Sequence, residues 1–374
     1  MRVVMLSWRD ADNPEAGGAE RYLHRVAAGL ADRGHDVTIV TARYPGSADR
    51  DTDGAVRIRR RGGKLTVYLA GSLALASRRL GPVDVVVDVQ NGVPFFSRLA
   101  TQAPVVVLVH HVHREQWPVV YGRSAASLGW WLESRLAPRI YRSSPYVTVS
   151  AHTRDELIRL GVDAERVTVV HNGTDPRPAS HLKPSPSPRL VCLGRLVPHK
   201  QVEHAIVLMS RLRLSHPGIH LDVIGDGWWR DQLLALREQH GLREEVTFHG
   251  YVSEEVKHDL LSQAWVNVLP SLKEGWGLSV VEAATHGVPT VGYGHAGGLA
   301  DSVVDGHTGL LAADQAELES HVRSLLGDPD LRRTMGGRAR DRAEMYTWEE
   351  TTRQFEKLLQ DAASKPTGGS RRDR

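Results

Sequence analysis

Two successive series of short, valine-rich runs, separated by one proline-rich break, constrain this chain more than any other feature. The first series has runs at residues 2–7, 37–41, 83–89, 105–109 and 147–150, and the second at 189–194, 221–224, 246–248, 266–269 and 290–292. Apolar runs of this length without polar alternation predict strands buried on both faces, as in a parallel sheet covered by helices. Residues 18–33 supply such a helix: Leu23, Val26, Ala27 and Leu30 make an i, i+3, i+4, i+7 stripe and Gly34 stops it. Helical patterns at 202–214 and 229–240 separate strands in the second series in the same way. Residues 175–188 contain five prolines and no apolar period, which marks a linker. At 374 residues the chain exceeds what one core supports, so the expected fold class is α/β with two Rossmann-like domains.

The same residues exclude several classes of function. The longest apolar runs are strand-sized and too short to cross a bilayer, and residues 1–9 are too short for a secretory segment, so export is not expected. The single Cys192 cannot form a disulfide within the chain, which suits a reducing cytoplasm. Charge is uneven: residues 1–178 hold 24 Lys and Arg against 18 Asp and Glu, an excess of +6, while the remainder carries −3. That bias fits an acidic ligand or an anionic membrane surface. Nucleic-acid binding would rest on R-I-R-R-R-G-G-K at 57–64 alone, which reads better as a solvated or membrane-facing patch, so no nucleic-acid partner is expected.

Chemistry concentrates at the ends of the predicted strands. In E-G-W-G-L-S-V-V-E, Glu274 and Glu282 flank a glycine turn, Gly275-Trp276-Gly277, and a helix start at Leu278 and Ser279, whose free amides suit a diphosphate. In G-R-L-V-P-H-K, Arg195 and Lys200 bracket the loop after the first strand of the second series, where cations neutralise a leaving diphosphate. Gly17 and Gly18 precede the first helix but lack the three glycines of a dinucleotide fingerprint, which disfavours an NAD-dependent oxidoreductase. In H-H-V-H-R-E-Q-W, His110 leaves the 105–109 strand, with His111 and His113 as alternatives for the same role. The H-H-x-H spacing does not place three ligands on one helix face and has no acidic partner motif, so no metal is expected. Gly225, after the 221–224 strand, and Tyr251 and Val252, after the 246–248 strand, complete the candidates.

The E-x7-E pattern, the G-R…K loop, V-V-H-N-G-T-D at 169–175 and Y-T-W at 346–348 resemble glycosyltransferase family 4. That resemblance implies the GT-B fold, two Rossmann-like domains facing each other across a cleft, and a retaining, metal-independent enzyme without cofactor. The enzyme would move a sugar from a nucleoside-diphosphate donor to an acceptor hydroxyl. It implies an acceptor-side domain over 1–178 with a returning helix at 347–362, a donor domain over 179–346 and a disordered tail at 363–374. Glu274 would face the donor sugar, Glu282 the ribose, Arg195 and Lys200 the phosphates, and a histidine, by strand-end alignment His110, the reacting sugar. Gly17, Gly18, Gly225, Tyr251, Val252, Gly275, Trp276, Gly277, Leu278 and Ser279 would line the donor. The rival readings are a same-fold phosphorylase or nucleotide-sugar epimerase, separable by product, and a catalytically silent nucleotide-sugar-binding protein.

Residues 124–142 predict a helix bent near Pro138. Leu128, Trp131, Leu132, Leu136 and Ile140 form its core stripe and Trp130 is left over. Its aromatic and basic residues also suit an interfacial helix, which with the positive first half raises peripheral contact with anionic membrane and a lipid-linked acceptor.

Overall fold

The computed structural model describes residues 1–177 and 182–364. They form two compact units, Met1–Gly173 with the helix Trp348–Ser364, and Thr174–Thr347. The division falls a few residues before the expected 178/179 because Thr174 bridges Thr347 and donates its N–H to the Tyr346 carbonyl at 2.9 Å. Of the tail expected to be disordered, residues 363 and 364 finish the last helix, and 365–374 lie outside the described residues, as do 178–181 of the linker.

In the first unit, strands β1 (Arg2–Leu6), β2 (Asp36–Thr41), β3 (Arg50–Asp53), β4 (Val56–Arg60), β5 (Val85–Val89), β6 (Val105–Val109), β7 (Tyr146–Thr148) and β8 (Val167–Val169) form one sheet. Their order is β3-β4-β2-β1-β5-β6-β7-β8, with only β3 and β4 antiparallel. In the second unit, β9 (Arg189–Leu193), β10 (His220–Ile224), β11 (Val246–Gly250), β12 (Val266–Leu269), β13 (Thr290–Tyr293) and β14 (Gly309–Ala312) are all parallel in the order β11-β10-β9-β12-β13-β14. Every residue of β5 and β6 is buried, as their valine-rich runs require, and Asp88 within β5 is satisfied there by Phe95, Ser97 and Tyr141. Both sheets reverse direction beside their first strand, and the two loops leaving such a point diverge to leave a crevice.

The 57–64 run is corrected by β4. Val56, Ile58 and Arg60 point inward and alternate with outward Arg57, so the segment is a strand of period two and not a uniformly solvated patch. Arg60 is buried and is held by Asp10, Asp12 and Asp51 at 2.6, 3.1 and 3.0 Å. Burial opposes the charge of both Asp10 and Arg60, and the pair persists because each supplies the other's countercharge.

The 124–142 region also departs from the expected stripe. The helix Arg123–Trp131 passes into a π-helical turn, Leu132–Leu136, before Ala137–Ile140. The wider turn rotates the segments on either side of it, so one 3.6-residue stripe cannot run through both. Leu128 and Trp131 are therefore exposed, while Trp130 packs against the core.

The C-terminal helix packs on the helix Gly18–Asp32 at a point with no spare volume. A Cβ on Gly29 would lie 2.5 Å from Thr352 Oγ1 and 3.1 Å from its Cβ, both on a buried, stiff side chain. Gly29→Val is expected to destabilise the first unit by about 2 kcal/mol, read as a lower urea midpoint at unchanged slope. A wild-type midpoint would show that this packing yields freely.

Candidate active site

The second unit brings its predicted residues together where the strand order reverses. The loop after β9 carries Arg195 and Lys200 and the loop after β12 carries Glu274, and these loops leave neighbouring strands. Lys200 Nζ lies 2.6 Å from Glu274 Oε1, which also accepts from Ser271 Oγ at 2.6 Å. The Leu272 N–H donates to the His199 carbonyl at 2.8 Å and ties the loops through their backbones. Glu274 is buried, and its own N–H and C=O bond to Ala296 O and Gly298 N at 2.8 and 2.9 Å. Lys200 supplies the countercharge to this buried carboxylate and Ser271 a neutral hydrogen-bond donor, which offset its removal from water. Arg195 sits half-buried in the same loop.

Past Glu274 the chain turns at Gly275 and enters the helix Leu278–Thr285 through Gly277, whose φ of 89° is left-handed and favours glycine. The amides of Leu278 and Ser279 open that helix and have no partner within its first turn. Trp276 points inward, packed edge-on against Tyr346 with ring centroids 5.0 Å apart, so it supports the turn from beneath. Glu282, on the same helix, is paired with Lys257 Nζ at 2.7 Å. Gly225 closes the far side: a Cβ there would lie 2.1 Å from the Gly194 carbonyl oxygen, so only glycine lets the loops after β9 and β10 meet. Tyr251 is exposed beyond β11, and Val252 packs partly into the core.

The first unit holds the remaining candidates. Gly17 caps the helix Gly18–Asp32 in extended backbone, and its N–H donates to Glu20 Oε2 at 2.8 Å. Glu20 is buried against Arg9, whose Nε donates to Oε1 at 3.1 Å, so the glycine loop is fastened by one buried ion pair as well as by Arg60 on Asp10. His110 is buried at the end of β6, edge-on to Tyr22 at 5.2 Å, and its Nε2 has no hydrogen-bond partner among the described residues. His111 Nε2 bonds to Gln116 Oε1 at 2.9 Å and His113 Nδ1 to Glu133 Oε1 at 3.1 Å. The acidic partner missing from the local motif is thus Glu133, delivered from the π-helical turn; it also accepts from Trp117 Nε1 at 2.7 Å. Among the described residues no group of three or more His, Cys, Asp or Glu is arranged to hold a metal ion.

Sequence reasoning missed Ser271, Lys257, Glu133 and the Ala296–Gly298 segment that holds Glu274 by its backbone. The last had a visible signal, a Gly-Gly pair after a strand of the second series, at Gly297 and Gly298. The others carried none: Lys257 and Glu133 reach partners on other elements, and Ser271 meets Glu274 only through the shape of the loop they share.

Two histidines give the protein a predictable acid sensitivity. Burial pushes His110 down to about 4 against a partial rise from Glu20, and burial, then Arg177, His258 and Lys257, push His286 down to about 3. Below the ordinary histidine value near 6.5 the unfolded chain binds protons that the folded one refuses, so this stability is present above about pH 6.5 and lost as pH falls. His110 alone contributes a slope approaching about 1.4 kcal/mol per pH unit between its two values. Chemical denaturation at pH 7.5, 6.5, 5.5 and 4.5 should show falling stability, and His286→Phe should flatten part of the loss. A profile flat down to pH 4.5 would contradict this reading.

Residues 16–177 match the family model described as Glycosyltransferase Family 4, and residues 174–342 the one described as Glycosyl transferases group 1. The chain is 28% identical over 375 residues to a glycogen synthase of Mycobacterium tuberculosis, with 91% of this chain and 90% of the relative aligned. Among solved structures it is similar to a sucrose-phosphate synthase from Thermosynechococcus elongatus, with TM-score 0.81, 20% identity and 96% and 98% of the two chains covered. It is also similar to the Anabaena protein HepE in complex with UDP-glucose, with TM-score 0.73, 17% identity and 96% and 100% covered. With two sheets of Rossmann order, two family models that together cover residues 16–342 and relatives that are transferases, the chain belongs to the family 4, group 1 glycosyltransferases and has the GT-B fold.

Proposed function

We propose that this glycosyltransferase takes a sugar from a nucleoside-diphosphate donor and delivers it to an acceptor hydroxyl with retention of anomeric configuration, without a metal. The observation that carries the reading is the meeting of Lys200 with Glu274 at the reversal point of the second sheet. Arg195, Lys200 and the amides of Leu278 and Ser279 receive the diphosphate, and Glu282 receives the ribose. Glu274 faces the sugar, and His110 is the candidate catalytic group of the first unit. The HepE complex with UDP-glucose supports a nucleotide-sugar donor. As the anomeric bond breaks, negative charge grows on the diphosphate, where fixed cations and helix amides stabilise it more than they stabilise the bound ground state. An ammonium has three donors, so Lys200 serves phosphate oxygens while keeping its bond to Glu274.

A thermal-shift panel of UDP-, GDP-, ADP- and TDP-sugars identifies the donor, since a specific ligand raises stability by mass action. With that donor, Glu274→Ala should lower kcat about a hundredfold or more while nucleoside-diphosphate affinity changes little, whereas Arg195→Ala and Lys200→Ala should weaken both. EDTA should leave wild-type turnover intact. Near-normal turnover of Glu274→Ala would refute its role, and loss of activity in EDTA restored by a divalent ion would refute the metal-independent reading.

We also propose that the acceptor is lipid-linked and that the first unit touches anionic membrane reversibly. No helix among the described residues is long and apolar enough to cross a membrane. The first unit instead exposes Leu65, Leu69 and Leu73 on and just ahead of the helix Val67–Ala76, together with Leu128 and Trp131. Exposed apolar side chains on a basic unit suit an interface of headgroups and acyl chains. In flotation, the protein should rise with anionic vesicles at low salt and less at high salt. Its absence from anionic vesicles at low salt would favour a soluble acceptor.

A further inference from the structure

Lys257 lies on the helix Glu254–Gln263, and its side chain is only 7% exposed. Its Nζ donates to Glu282 Oε1 at 2.7 Å and to Glu254 Oε2 at 2.8 Å. Glu254 is largely in water, where its attraction is screened; Glu282 is itself mostly buried, so that pair is the stronger. The next residue, His258, bonds through Nδ1 to Nε2 of His286 at 2.8 Å. Glu282 and His286 stand one helical turn apart, the first inside the helix Leu278–Thr285 and the second at its C-cap. Two consecutive residues of one helix therefore hold two successive turns of another. The imidazole pair fixes the helix end, and the ammonium fixes the carboxylate.

We propose that Lys257 is a positioning residue for the nucleoside end of the donor, holding the Glu282 side chain in one rotamer so that its carboxylate accepts from the vicinal hydroxyls of a ribose. The proposal rests on the reading of Glu282 as the ribose-binding group. A carboxylate has about four lone-pair sites, so one bond from Lys257 does not saturate it. Without the ammonium, the mostly buried carboxylate loses the partner that holds it and turns towards water, which removes an acceptor from the diol. Lys257 therefore acts on discrimination between ribose and deoxyribose and leaves the diphosphate contacts alone.

The test uses the full-length protein and calorimetry with UDP, GDP and ADP, each beside its 2′-deoxy counterpart, and with inorganic pyrophosphate. Wild type should prefer the best-bound ribonucleotide over its deoxy form by about tenfold or more, as expected for a hydrogen bond to a charged group. In Lys257→Met and Lys257→Gln that ratio should fall to about twofold or less, with pyrophosphate affinity unchanged, and Lys257→Arg should restore much of it. If Glu282→Gln keeps the wild-type ratio, or no nucleotide binds, the ribose reading fails and the proposal with it. If Glu282→Gln abolishes the ratio while both Lys257 variants keep it, the ribose reading stands and the proposal is overturned. Equal loss of pyrophosphate affinity, or failure of both Lys257 variants to fold, would make Lys257 a general charge or a structural residue and would also overturn it.

Discussion

The pairing of β9 between β10 and β12 is the constraint on which the second unit depends. Because all strands are parallel, every carboxyl end lies on one edge, and because the order reverses beside β9, the loops leaving β9 and β12 start as neighbours with no crossover helix between them. Lys200 and Glu274, remote in the chain, thereby come within 2.6 Å. Each residue alone would be a costly charge to withdraw from water. Paired, and backed by Ser271, they make a polar floor that an apolar sheet tolerates.

Close backbone approach gives this edge its shape. At Gly225 the chain passes so near the Gly194 carbonyl that any side chain would displace it, and the Leu196 N–H then bonds to the Asp226 carbonyl at 2.9 Å. The loops after β9 and β10 thus form one surface. On its other flank, Glu274 is held through its backbone by Ala296 and Gly298, so its side chain is aimed by main-chain geometry and needs no packing of its own.

The first unit solves a similar problem with buried arginines. Its long loop after β1 has no regular structure to fix it, yet it contains Asp10 and leads to Gly17. Arg60 from β4 and Arg9 with Glu20 fasten it at two places inside the unit. The π-helical turn plays a comparable part for the histidine loop, since it turns Glu133 inward to bond His113 and Trp117. Buried charge here orders loops, a use of ion pairs that depends on geometry more than on net stabilisation.

The sequence by itself determined the two α/β units, most of their strands and the strand-end motifs, because runs of β-branched residues, helical stripes and prolines act over a few residues and need no distant partner. It was silent on β3, β8 and β14, which are short or polar, and it was misleading at β4, where alternate arginines hide a period of two. It also left Trp130 outside the core, when packing turns it inward. Only the tertiary structure decided that Lys200 meets Glu274, that Lys257 holds Glu282, and that His113 takes its acidic partner from a π-helical turn. Those pairings join residues dozens of positions apart or depend on a local change of helical phase, and strand order, burial and close approach, which no local pattern encodes, select the partner.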